Sequence, residues 1–268
     1  MLTILFLGDI VGESGRSAVI ARLAELKRAL TLDFIIVNGE NAAAGRGITP
    51  KITIDLLRAG VSVITTGDHI WDRKEIVGFI DTEPRLLRPL NYPAGAPGAG
   101  TIVLETPKGK IGVINVQART FMQPILENPF PLLDAAVKEM RTHTSNIIVD
   151  AHGETTSEKI AIGRYLDGRV SAVLGTHTHV QTADEEIFEG GTAFICDAGM
   201  CGPVRSILGR EIEPIVGRFI SNMPAAFPVA HGEARLRGVV VEIDETTGRA
   251  LSIRRVDEAG ASPEGAPA

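Results

Sequence analysis

The sequence predicts an α/β fold of two sheets packed face to face, with helices on the outside. Three observations carry that expectation. Apolar runs of strand length alternate with helical-period segments through the first half, which implies βαβ units, parallel pairing and right-handed crossovers. The closing third reads mostly as strands joined by hairpin turns. No internal repeat and no linker interrupts the 268 residues, so 1–258 are expected to form a single domain with a sizeable core and 259–268 a tail.

The elements follow in order. TILFLG is the first strand. Ser14 and Gly15 precede the helical segment SAVIARLAELKRAL, in which Val19, Ile20, Leu23, Leu26 and Leu30 recur at helical spacing. DFIIVN is the second strand. In ITPKITIDLLRAG, Thr49 suits the N-cap, Pro50 the first helical position and Gly60 the stop. VSVITTG is the third strand, and the Pro- and Gly-rich residues 82–100 read as a long irregular loop. TIVLET, the turn PKGK and KIGVINVQ make a hairpin. FPLLDAAVKEMRTH is a helix with Leu132, Leu133, Ala136, Val137 and Met140 on one face. NIIVDAHGE and VSAVLGTHTHV are further strands, separated by the helix SEKIAIGRYLDG. EEIFEGGTAFICD reads as a hairpin around Gly190 and Gly191, and RLRGVVVEIDETTGRALSIRRVDE as another turning at Asp244 to Gly248. Between them, Cys201 to Glu233 reads as irregular. The tail AGASPEGAPA has too little apolar surface to bury and is expected to be disordered.

Composition sets the class. Hydrophobic content of 44% and charged content of 22% describe an ordinary globular chain. A net charge of -6 gives no electrostatic case for duplex nucleic acid, which calls for a basic face. Small anionic substrates remain open, because a bound metal supplies local positive charge. Cys196 and Cys201 are expected as two reduced thiols, since one pair makes no disulfide framework. The opening MLTILFLGDIVGESG lacks a basic start and a cleavage site, so it reads as a strand and not a signal peptide. With no apolar run of membrane-spanning length, about 18 residues, the expectation is a cytoplasmic protein without a membrane partner. A homo-oligomer stays open, with SNMPAAFPVA as a candidate interface.

Five polar clusters sit just past apolar runs: LFLGDIVG, IIVNGEN, VITTGDHIWD, IIVDAHGE and AVLGTHTHV. Ligands of open α/β sheets bind beyond the carboxyl ends of the strands. The clusters are therefore expected at one edge of one sheet, where they build one site. Their carboxylates and imidazoles are the donor mix for Mn, Fe or Zn, and two such ions suit phosphoester hydrolysis.

Asp9 reads either as a cap or turn aspartate or as a metal ligand. Glu40 has no helix to cap at once, and a carboxylate can give one oxygen to each of two cations. Glu40 is thus the bridging candidate, and Asn41 a weaker ligand or a supporting group. Asp68 and His69 are adjacent, so one can bind metal while the other faces substrate. His152 stands before a glycine, as a ligand on a tight turn would. On extended backbone, His177 and His179 would share a face and reach adjacent metals. Arg46 and Arg119 are candidate contacts for substrate phosphate; solvated surface arginines account for them equally well.

The series GD…GEN…G-[ND]-H…H-G…G-T-H-x-H resembles the calcineurin-like metallophosphoesterases. With GDIVG, NGEN, AAAGRGIT, the ART-F-M stretch and GTHTHV, it resembles the bacterial YmdB-type cyclic-nucleotide phosphodiesterases through most of the chain. The resemblance implies a four-layer αββα sandwich of two packed mixed sheets and a dinuclear iron or manganese centre. It implies hydrolysis of 2′,3′-cyclic nucleotides, with weaker action on other phosphodiesters, through a metal-bridging hydroxide. Asp9, Asn41 and His179 resemble the first metal's ligands, Glu40 the bridge, and position 68, His152 and His177 the second metal's ligands. His69 resembles the proton donor to the leaving oxygen.

Two departures stand out. The wider superfamily's Asp-x-His has Val11 in place of its histidine, and the family's Asn at position 68 is Asp68 here. A phosphomonoesterase or 5′-nucleotidase on the same centre, or a regulatory protein that binds metal or nucleotide, are the alternative functions.

Overall fold

The computed structural model describes residues 1–260. In chain order its elements are β1 (Leu2–Leu7), β2 (Asp9–Ile10), α1 (Gly12–Ala29), β3 (Phe34–Asn38), α2 (Pro50–Arg58), β4 (Val63–Thr65), β5 (Thr101–Thr106) and β6 (Gly109–Gln117). There follow α3 (Pro129–Met140), β7 (Ile147–His152), α4 (Thr156–Leu166), β8 (Ala172–Thr176), β9 (Glu186–Ile187), β10 (Ala193–Ile195) and β11 (Met200–Pro203). The chain closes with α5 (Ile212–Ser221), β12 (Ala234–Ile243) and β13 (Ala250–Ala259).

Both sheets are mixed. In the first, β1, β3 and β4 are parallel, and β12 lies antiparallel to β1. β13 runs antiparallel along β12, and β11 pairs β12 and β2. The second has the order β5-β6-β7-β8-β10-β9, with β6, β7, β8 and β10 parallel and the two hairpin strands antiparallel.

Strand periodicity sorts side chains into layers. Leu2, Ile4 and Phe6 of β1 meet Ile111, Val113, Ile148 and Leu174 between the sheets. Leu5 and Leu7 face the other way and pack with Val19 and Leu23 of α1 and Leu56 of α2. On the far side, Val149 and Val173 pack against Leu133 and Val137 of α3 and Ile162 of α4. The result is the expected four-layer αββα sandwich.

Toward the carboxyl ends the layer between the sheets turns polar. One step along the same face from Ile36 and Ile148 come Asn38 and Asp150. Asp150 is fully buried. It accepts from Asn38 Nδ2 at 3.0 Å, Thr65 Oγ1 at 2.5 Å and Thr176 Oγ1 at 2.6 Å, so it bonds to both sheets. Burial pushes its carboxyl up to about 6, although the His152 charge and the Thr176 and Thr65 hydroxyls pull the other way.

Several expectations change. α1 starts at Gly12, ahead of Ser14, with Val11 as an N-cap that makes no side-chain bond. Gly15 is no break: it sits inside α1 where a Cβ would come within 2.1 Å of the Cys201 carbonyl oxygen, so its bareness lets the helix lie on β11. Ile20 points to solvent at 40% exposure, and Leu132 and Ala136 are only half-buried. The Cys201–Glu233 stretch contains β11 and α5. Pro214 falls in the first turn of α5, where proline is tolerated, and Ile215 is the helix's one buried residue, so no core-facing stripe marked it. The expected tail begins at 259, yet Ala259 still belongs to β13 and the Gly260 N–H donates to Ala234; residues 261–268 lie outside those described. Thr49 does cap α2, accepting from Ile52 N at 3.2 Å with Pro50 next. Both thiols are free and buried. No helix among the described residues is long and apolar enough to cross a membrane.

The polar layer makes a measurable claim. Asp150→Ala removes the shared acceptor of three buried donors, and urea unfolding of the metal-free protein should show a loss of about 3 kcal/mol. Asp150→Asn, which keeps one acceptor, should lose clearly less. Equal stability of Asp150→Ala and the parent would show that the two sheets do not depend on this group.

Candidate metal centre

The clusters meet, but they come from two sheets and not one. Asp9, Glu40–Asn41 and Asp68–His69 follow β1, β3 and β4 of the first sheet; His152 ends β7, and His177 and His179 follow β8 of the second. Face-to-face packing brings both carboxyl edges to the same mouth, so the site straddles the sandwich.

Glu40, Asp68, His152 and His177 each offer one donor atom, and these atoms lie within 4.8 Å of one another. His152 Nε2 is 3.2 Å from Glu40 Oε2, 3.2 Å from Asp68 Oδ1 and 3.1 Å from His177 Nδ1. A second group adjoins it. Asn41 Nδ2 is 2.8 Å from Glu40 Oε1 and 3.2 Å from His179 Nε2, and His179 Nε2 is 3.9 Å from Asp9 Oδ1. Glu40 therefore turns Oε2 to one group and Oε1 to the other. Asp9 Oδ1 is buried with no hydrogen-bond partner, while its Oδ2 accepts from His177 N at 3.1 Å. Asp9 caps no helix. A buried carboxylate oxygen without a partner, next to His179 and Asn41, fits a cation.

Each histidine has its other nitrogen engaged, as metal-binding imidazoles do. His152 Nδ1 meets Thr176 Oγ1 at 2.8 Å, and that hydroxyl donates to Asp150. His177 Nε2 meets Glu154 at 3.2 Å, and His179 Nδ1 donates to the Leu208 carbonyl at 3.1 Å.

The His-x-His segment is not extended. β8 stops at Thr176, and His177 and His179 have φ of 100° and 66°. Left-handed backbone at a bulky residue costs about 1–3 kcal/mol and needs a clamp. Asp197 supplies one, accepting from Thr178 N at 3.0 Å and Thr178 Oγ1 at 2.8 Å. Asp197 is itself paired with the fully buried Lys159 at 3.0 Å. The two histidines thus converge through a strained turn rather than through strand periodicity.

Electrostatics agrees with a cation site. Burial would raise the carboxyls of Glu40 and Asp68, but the His152 charge and hydrogen bonds outweigh it and hold both below their ordinary range. Burial would depress His152, yet Glu40 and Asp68 hold it well above the usual imidazole range. Asp9, by contrast, is pushed up by burial.

His69 lies at the rim with Nδ1 3.3 Å from Asp72 and 3.5 Å from Asp68, which leaves Nε2 for the cavity. Arg46 pairs with Asp72 at 2.9 Å and touches His69 Nδ1 at 3.4 Å. The exposed Arg119 gives its backbone N–H to Glu158. Neither arginine lines the cavity of about 540 Å³ over the centre; Arg210 and Arg218 do. A cavity of similar size, about 550 Å³, lies between α3 and the β5–β6 hairpin and contains none of the donors. Asp150, Glu154, Lys159, Asp197, Arg210 and Arg218 were all missed from sequence. Asp150 carried a signal, being on the same strand face as His152.

Known proteins resemble the chain over nearly its whole length. Residues 5–256 match the family described as YmdB-like protein. A 2′,3′-cyclic-nucleotide 2′-phosphodiesterase of Bacillus subtilis is 48% identical over 95% of this chain and 96% of its own. A solved structure described as a novel phosphatase of Mycoplasma pneumoniae superposes with a TM-score of 0.91 at 35% identity, covering 98% of this chain and 95% of that one. A hypothetical protein of Thermus thermophilus gives 0.90 at 39%, covering 97% and 100%.

Gly67 tests the geometry. A Cβ there would lie 2.2 Å from His152 Nε2 and 2.3 Å from Glu40 Oε2. Gly67→Ala should abolish metal retention, read by elemental analysis, while circular dichroism stays that of the parent. Full retention would mean that metal binds elsewhere.

Proposed function

We propose an activity on one premise: the chain belongs to the YmdB-like family. It is a metal-dependent phosphodiesterase that opens the 2′ ester of 2′,3′-cyclic nucleotides and leaves a 3′-phosphate. The observation that carries this reading is the convergence of Asp9, Glu40, Asn41, Asp68, His152, His177 and His179 from two sheets onto the two oxygens of Glu40. Two ions are proposed, Fe or Mn, since mixed carboxylate and imidazole donors suit them. Asp68, His152 and His177 would hold one, Asp9, Asn41 and His179 the other, and Glu40 both. Val11, buried as the N-cap of α1, offers nothing there, and Asn41 and Glu40 stand in for the histidine that the wider superfamily has. A cytoplasmic setting is in keeping with two free thiols.

Bound there, the ions would polarise the phosphoryl oxygens and acidify a water. The protein's own part is orientation and proton delivery. Thr176, Glu154 and the Leu208 carbonyl fix the three imidazoles, so the donors are set before substrate arrives. His69, held at Nδ1 by Asp72, would present Nε2–H to the departing O2′ and protonate it as a water oxygen bonds to phosphorus and the P–O2′ bond breaks. Opening the strained cyclic ring asks less of that proton than cleaving a linear diester.

His69→Ala should keep its metal and lose about 10²–10⁴-fold in kcat on 2′,3′-cyclic AMP. A rate near the parent's would remove His69 from the reaction. A panel that includes nucleoside 5′-monophosphates separates the diesterase from the monoesterase reading that the Mycoplasma phosphatase favours.

Glu40 and His179 give a second test. Glu40→Ala should lose both ions and nearly all turnover, whereas His179→Ala should weaken one. Glu40→Ala with two ions and normal turnover would refute the bridging role.

A further inference from the structure

α5 lies on the protein through one buried residue, Ile215. Three of its apolar groups face out, with Val216 41%, Phe219 83% and Ile220 81% exposed. A soluble helix normally turns such groups inward. After α5 the chain reverses through Asn222, which has φ 55°, and returns so that Phe227 joins Phe219 on one cavity. Leu208, Ile215 and Arg218 complete that side, and His69, His177 and His179 line the other. The segment is tied to the metal loops. Arg210 donates to the Phe227 carbonyl at 3.2 Å and the Gly45 carbonyl at 2.5 Å, and Leu208 receives His179 Nδ1. The volume of about 540 Å³ falls within the range of small-ligand sites.

We propose that this wall receives the base of the substrate, with Phe219 and Phe227 as the stacking surfaces; the inference rests on the cyclic-nucleotide reading above. A cyclic nucleotide carries one planar, apolar-faced group, joined through the ribose to the phosphate. One cavity here joins two exposed aromatic rings to a cation site. Stacking uses the π-face that every base has. Arg218 adds a guanidinium on the same side, which can lie flat on a base. α5 is therefore a specificity element that separates nucleoside cyclic phosphates from the same ring without a base.

The experiment compares 2′,3′-cyclic AMP with glycerol 1,2-cyclic phosphate, which has the strained ring and no base. Phe219→Ala should raise KM for cyclic AMP about tenfold at unchanged kcat. KM for the glycerol ester should stay within about twofold of the parent's. Phe219→Trp should restore tight cyclic AMP binding. Phe219 is 83% exposed, so its removal leaves the core intact. Equal changes on both substrates, or none on either, would overturn the proposal. So would a parent dimer that Phe219→Ala makes monomeric with both KM values kept, since the face would then belong to a second copy. A parent enzyme that hydrolyses neither ester would defeat the cyclic-nucleotide reading itself, and the base wall with it.

Discussion

The buried Asp150 carboxylate is the constraint on which the rest depends. It takes Asn38 and Thr65 from one sheet and Thr176 from the other, and Thr176 in turn holds His152. A carboxylate between two sheets is costly to desolvate, and three donors offset that cost. Because the candidate centre draws donors from both sheets, it needs the sheets fixed against each other at this edge. Hydrocarbon packing deeper in the layer would tolerate a small slide; a triply bonded carboxylate does not.

The same logic runs outward. Donors from five chain segments converge here, and two of them sit on strained backbone. His177 and His179 adopt left-handed conformations, and the Lys159–Asp197 pair grips the threonine between them. Glu154 and the Leu208 carbonyl then fix the ring nitrogens that do not face the centre. Leu208 also belongs to the segment that leads into α5. The metal loops and the aromatic wall are thus joined by a hydrogen bond and not merely adjacent.

Much of this was legible in the sequence, for a physical reason. Fully buried parallel strands are continuous apolar runs, and donors at their ends stand out as sudden polar clusters; GDIVG, NGEN and GTHTHV show it. Strand partnership was not legible, because an apolar run does not say which sheet it joins, so one sheet was expected where two meet. The turn at 177–179 was hidden, since H-x-H alternation looks extended until Asp197 pulls it over. α5 was hidden because only Ile215 turns to the core, which leaves no buried stripe at helical spacing. Lys159 could have been found: it lies three residues before the core residue Ile162 on α4, an odd place for a charge without a partner.

The central claim is that Glu40 joins two cation sites, one oxygen to each. Anomalous diffraction from crystals of the protein loaded with Mn or Fe tests it most directly. Two anomalous peaks are expected, one among Glu40 Oε2, Asp68, His152 Nε2 and His177 Nδ1, the other among Glu40 Oε1, Asp9, Asn41 and His179. A single peak, or two peaks with Glu40 outside the coordination of either, would contradict it.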